Sequence, residues 1–127
     1  MKRRTSIGTA MPPPQAAQQR SRDVVLYVED EASNRQVIHL WLNADFEVLF
    51  AQNDVEACDL VKAHHHRISC VLMDIQLQGS LLSGIQLTRL FRGKPVNRQL
   101  PPYAMGIPIV NAPIIFLTAR TDPASVA

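Results

Sequence analysis

The chain has 127 residues, 46% hydrophobic and 19% charged, with a formal net charge of +2, which is room for one domain with a real core and no more. No apolar run approaches the ~20 residues of a membrane-spanning helix. Met1-Lys-Arg-Arg4 opens into polar, Pro-rich sequence, not the apolar core of a signal peptide, so the expected location is cytoplasmic and no membrane partner is expected.

The charge is divided along the chain. Lys2, Arg3, Arg4, Arg20 and Arg22 give the first 22 residues +5 with no acid among them, leaving −3 for the rest. With Pro12-Pro-Pro14 and Gln15-Ala-Ala-Gln-Gln19, this stretch cannot bury enough apolar surface to fold alone. Residues 1–22 are expected to be a disordered, solubilising basic leader, with the domain proper at 23–127. Five dispersed charges do not indicate nucleic acid.

From Asp23 the elements alternate. Val24-Val-Leu-Tyr-Val28 reads as a buried strand that ends in Glu29-Asp30-Glu31. A helix near 32–43 follows, where Val37, Leu40, Trp41 and Ala44 fall at i, i+3, i+4, i+7 and are expected to face inward, with Ile38 and Leu42 widening the stripe. Phe46–Ala51 is the second strand. Asn53-Asp-Val-Glu56 has the capping-box pattern of a second helix, about 54–66, with Ala57, Leu60 and Val61 inward. Cys70-Val-Leu-Met-Asp-Ile-Gln-Leu77 carries the third strand and delivers Asp74 at its end. A third helix, Gly84–Arg92, buries Leu87, Leu90 and Phe91, and Pro113-Ile-Ile-Phe-Leu-Thr118 is the fourth strand. Strands alternating with helices mean an α/β fold with a parallel sheet.

An Asp at the carboxyl end of a parallel strand sits where open α/β sheets bind ligands. If the first and third strands lie side by side, Glu29, Asp30 and Asp74 converge, and such carboxylates repel unless a divalent cation lies among them. Other chemistries are weaker. His64-His-His66 are consecutive on a helix, about 100° apart, and cannot converge on one ion. Gly93-Lys94-Pro95 lacks the spacing of a nucleotide-binding loop. Cys58 and Cys70 have no metal-type spacing and read as reduced core thiols.

Val28-Glu-Asp-Glu31, Leu72-Met-Asp-Ile-Gln76, Gly84 and Phe116-Leu-Thr-Ala119, in this order, resemble the receiver domain of bacterial two-component response regulators over residues 23–122. The resemblance implies a doubly wound, flavodoxin-like parallel sheet with four of the five strands present. It implies Asp74 as phosphoacceptor and Thr118 as the switch hydroxyl. It also implies a Mg²⁺ held by Asp30, Asp74 and the Gln76 carbonyl, with Glu29 acting through water. The implied partner is a sensor histidine kinase or phosphotransfer protein, and the implied role is signalling rather than enzymatic. Carboxylate nucleophiles and an oxygen-ligated Mg²⁺ suit that chemistry independently of the family.

Three departures from the family pattern stand out. Gln78 replaces the usual Pro four residues after the acceptor, and Gly84 comes ten residues after it where eight is usual, so the loop at 78–83 is two residues longer. About twenty residues, with prolines at 95, 101, 102 and 108, separate Arg92 from Pro113; Tyr103 and Ile107-Pro-Ile-Val110 are expected to fold back on the domain, with an extra short strand at 107–110 as one form. The only lysines are Lys2, Lys62 and Lys94, so none follows Thr118 to pair with the phosphoryl group. Arg120 is a weak substitute, and the expectation is a receiver that stops before its fifth strand. It would leave the fourth strand at an edge and favour self-association. The alternatives are a phosphorylation-independent interaction module and, less favoured, a Mg²⁺-dependent aspartyl phosphatase. The latter calls for a second Asp where Gln76 stands.

Overall fold

The structure, a computed structural model, describes residues 22–117. Four strands form one parallel sheet: β1 (Asp23–Val28), β2 (Phe46–Ala51), β3 (Ile68–Asp74) and β4 (Ile114–Leu117), in spatial order β2-β1-β3-β4. The helices are α1 (Ala32–Leu42), α2 (Asp54–His64) and α3 (Gly84–Phe91), and a 3₁₀ turn at Pro102–Ala104 lies before β4. This is the doubly wound, flavodoxin-like receiver architecture expected from the sequence. The chain leaves β1 toward β2 on one side and returns to β3 on the other, so the topological switch lies between β1 and β3. Ligand crevices of open α/β sheets form at that point.

The period-2 geometry of β1 sends its side chains to two different faces. Val24, Leu26 and Val28 join Val71 and Met73 of β3, Ala57, Cys58 and Val61 of α2, and Leu87 and Phe91 of α3 in the main core. Tyr27 points to the other face, where its ring packs 5.9 Å from Phe50, and Phe50 in turn meets His39 of α1 edge-on at 5.4 Å. Burial pushes the Cys58 thiol up to about 12, and Cys58 and Cys70 are both free.

The helix caps follow the sequence in part. The Asn53 side chain accepts from the Glu56 N–H at 2.9 Å, but Glu56 reaches back to the Gln52 N–H, so the capping box at α2 is displaced by one residue. A complete box, not anticipated from the pattern, opens α3 through Ser83 and Gln86.

One expectation fails. No residue of α1 is buried: Val37 is 48% exposed, Leu40 80% and Trp41 73%, and Ala44 lies beyond the helix. The half-buried apolar residues are Ile38 and Leu42, on the flank of the expected stripe. The period of 3.6 identifies a helix with an apolar face but does not supply the surface that covers it. Among the described residues α1 lies against β2, and nothing covers its Leu40–Trp41 side.

The 93–112 segment does fold back. Val110 is buried and its N–H donates to the Phe91 carbonyl at 2.8 Å, and Tyr103, Leu100 and Ile107 pack against the core. It forms no strand at 107–110. β4 pairs only with β3 among the described residues, with Ile115 and Phe116 both more than two-fifths exposed. The expected leader, apart from Arg22, lies outside the described residues, as do Thr118 and Arg120.

Candidate functional site

β1 and β3 run parallel with Val28 opposite Met73, so both chains leave the sheet at the same level. Glu29 and Asp30 follow β1 directly and Asp74 is the last residue of β3. Each offers a carboxylate oxygen within 4.8 Å of the others, the only such acidic or His/Cys group of three among the described residues. Glu29 is 3% exposed and Asp74 8%, while Asp30 is half-buried. The three carboxylates expected from the sequence are therefore brought together, and the three histidines at 64–66 are not.

Hydrogen bonds hold the carboxylates in place. The Tyr27 hydroxyl donates to Glu29 Oε1 at 3.1 Å and the Glu31 N–H to Glu29 Oε2 at 3.2 Å. Burial and the negative Glu29 carboxylate push the Tyr27 phenol well above its ordinary value. The Gln76 N–H donates to Asp74 Oδ1 at 3.1 Å, and the Gln78 N–H donates to Asp30 Oδ2 at 3.0 Å. Arg35 Nη1 donates to the Glu29 carbonyl at 2.8 Å, bringing a positive charge to the rim of the crevice and not into it.

Burial, followed by the hydrogen bond and negative charge of Glu29, pushes the Asp74 carboxyl up from 3.8 to about 7. The Gln76 N–H works in the opposite direction and Asp30 adds to the rise. Buried like charges at this separation cannot all ionise without a compensating cation. The donors are hard oxygens only, the set that suits Mg²⁺ or Ca²⁺ and not a thiophilic metal.

Gly84 closes the site from behind. A Cβ there would lie 1.9 Å from the Asp74 carbonyl oxygen, and the Gly84 N–H donates to the Ile75 carbonyl at 3.0 Å. The start of α3 can approach β3 this closely only without a side chain.

The sequence reading missed Asp54 and Tyr27. Asp54 is 1% exposed, and its carboxylate accepts from the Leu81 and Leu82 N–H groups and from the Tyr103 hydroxyl. In the sequence it is one acidic residue in a helix-start pattern, where a solvated role is the ordinary one. Tyr27 sits inside an apolar run, and only the strand's alternation places its hydroxyl beside Glu29.

The response regulator receiver domain family model matches residues 25–127. Comparison with curated proteins finds no match. Among solved structures, the chain is similar to a fusion that carries the trimeric coiled coil of yeast Spc42, with 27% identity over 84% of this chain and a TM-score of 0.56; this chain spans 59% of that one's length. It is also similar in fold to the receiver domain of the sensor histidine kinase PA1611 from Pseudomonas aeruginosa, described with a magnesium ion in its active-site cleft. That likeness has 20% identity, covers 84% of this chain and 92% of that one, and has a TM-score of 0.52. Vibrio cholerae chemotaxis protein CheY4 matches with 21% identity over 84% of this chain and 93% of that one, with a TM-score of 0.52. With the sheet order, the convergent carboxylates and a family match over most of its length, this chain belongs to the response regulator receiver domain family.

Proposed function

We propose that Asp74 accepts a phosphoryl group from a phosphohistidine of a sensor histidine kinase or phosphotransfer protein, in a Mg²⁺-dependent reaction. The observation that carries this reading is the convergence of Asp74 with Glu29 and Asp30 in a crevice at the β1–β3 switch point. Asp30, Asp74 and the Gln76 carbonyl would hold the ion and Glu29 would act through water; the ion would neutralise charge on the incoming phosphoryl group. The Gln76 N–H occupies Asp74 Oδ1 and orients the carboxylate. The other oxygen attacks phosphorus, the P–N bond breaks, and the bond's electron pair leaves with the imidazole, which takes a proton from solvent. The product is an acyl phosphate carrying nearly two negative charges where the carboxylate carried one, with new acceptor oxygens that can reorganise nearby loops.

Acetyl phosphate with Mg²⁺ should add one acid-stable, base-labile phosphoryl group to the full chain, and Asp74→Asn should abolish it. Labelling that survives in Asp74→Asn would place the nucleophile elsewhere. A folded chain that binds Mg²⁺ but takes up no phosphoryl group would favour the phosphorylation-independent interaction module.

A further inference from the structure

The loop between β3 and α3 is held at two points by different carboxylates. Near its start, a turn from Leu77 to Ser80 closes through the Ser80 N–H on the Leu77 carbonyl at 3.3 Å, with Gly79 at φ 78°. A positive φ at the third turn residue favours glycine. The second turn residue, Gln78, donates its N–H to Asp30 Oδ2. At the far side of the same turn stands Asp54, the first residue of α2. Its N–H donates to Ser80 Oγ at 3.0 Å, while Oδ2 accepts from the N–H groups of Leu81 at 3.1 Å and Leu82 at 3.0 Å.

Asp54 is almost fully buried, and a buried carboxyl group is costly unless hydrogen bonds replace the water it loses. Here the donors are the Leu81, Leu82 and Val55 N–H groups, the Tyr103 hydroxyl and the positive end of α2. Tyr103 belongs to the long 93–112 segment. That segment reaches the region twice more, through Lys62 Nζ on the Tyr103 carbonyl at 2.9 Å and Arg98 Nη1 on the Leu81 carbonyl at 2.7 Å. One carboxylate thus joins three pieces of chain: α2, the acceptor loop and the segment before β4.

We propose that Asp54 is a positioning residue for the acceptor crevice, acting through the Leu77–Ser80 turn on Asp30, with Tyr103 tying the 93–112 segment to the same control point. This rests on the reading of Glu29, Asp30 and Asp74 as a cation-assisted phosphoacceptor site. Asp54 touches none of the reacting atoms. It fixes Ser80, Leu81 and Leu82, which fixes the turn, which keeps the Gln78 N–H on Asp30. A partner that gripped the 93–112 segment and withdrew Tyr103 would loosen Asp30 and weaken ion binding.

The test compares wild type, Asp54→Asn and Tyr103→Phe as full chains, by amide hydrogen exchange at Gln78, Leu81 and Leu82 and by Mg²⁺ titration. Asp54→Asn keeps the size but puts an NH₂ where one oxygen accepted. Exchange at Leu81 and Leu82 should quicken about tenfold or more, with Gln78 following to a similar extent. The apparent Mg²⁺ dissociation constant should rise about tenfold, in the range seen when residues supporting metal ligands are lost. Tyr103→Phe should move the same readouts in the same direction by less, at an unchanged metal-free melting temperature. Should Asp54→Asn fail to fold, Tyr103→Phe carries the test on the same amides. Faster exchange at Leu81 and Leu82 with Gln78 at its wild-type rate would overturn the proposal and leave Asp54 a local anchor. A wild type that binds no Mg²⁺ would refute the cation site alone, and the Gln78 amide would still decide the role of Asp54.

Discussion

Asp74 carries a pH signature alongside its proposed role. An unfolded chain ionises it near 3.8, while the metal-free fold holds its proton to about 7. Between those values the folded state binds more protons than the unfolded state, so this residue's contribution to stability is greatest below pH 4 and is lost as pH rises through about 7. Denaturant midpoints of metal-free wild type, taken relative to Asp74→Asn, should therefore fall from pH 5 to pH 8. A flat difference would contradict the raised value. Mg²⁺ binding must displace that proton, so the ion's affinity should strengthen with pH up to about 7, by as much as about tenfold per pH unit. At Gly84 the issue is space. Gly84→Ala sets a methyl against the Asp74 carbonyl oxygen, 1.9 Å away before relaxation, and should destabilise the fold by about 2 kcal/mol or more while displacing Asp74.

At the level of elements, α1 and α3 are both amphipathic in sequence, yet they have opposite fates. Phe91 of α3 is fully buried among core residues, and Phe91→Ala should cost about 3–5 kcal/mol. Leu40 of α1 is 80% exposed, and Leu40→Ser should change stability by no more than about 0.5 kcal/mol. Trp41 is the single tryptophan and is 73% exposed, so its fluorescence should be that of hydrated indole and open to iodide quenching. Emission that shifts to the blue with rising protein concentration would show that a second copy covers α1. The contrast arises because α3 packs against β3 and the 93–112 segment, whereas α1 lies mainly against β2 and leaves its Leu40–Trp41 side uncovered among the described residues.

For the molecule as a whole, the proposed cation site couples stability to ion binding. An ion that binds only the folded state adds about 2.7 kcal/mol at a hundredfold excess over its dissociation constant. Saturating Mg²⁺ should raise the thermal midpoint of wild type, and Asp30→Ala should remove most of the rise. Identical melts with and without the ion would refute the cation site. The sheet also brings together what the chain separates: Glu29 and Asp74 are distant in sequence and adjacent in space because β1 and β3 are parallel neighbours.

The alternation of strands and helices, the parallel sheet and the Glu29–Asp30–Asp74 cluster were legible in the residues alone. Local apolar periodicity fixes element type, and a parallel strand must end with its carboxyl-edge residues beside those of its neighbour. Gly84 was legible too, as part of the family pattern, although its reason is steric and visible only in space. The exposure of Leu40 and Trp41, the inward turn of Asp54 and the docking of Tyr103 were decided by tertiary structure. A stripe on a helix does not say whether another element covers it. An acidic residue at a helix start is ordinarily solvated. Asp54 is buried because the loop at 80–82 and a tyrosine from the 93–112 segment arrive with donors for its oxygens, and those contacts depend on how distant pieces of chain come together.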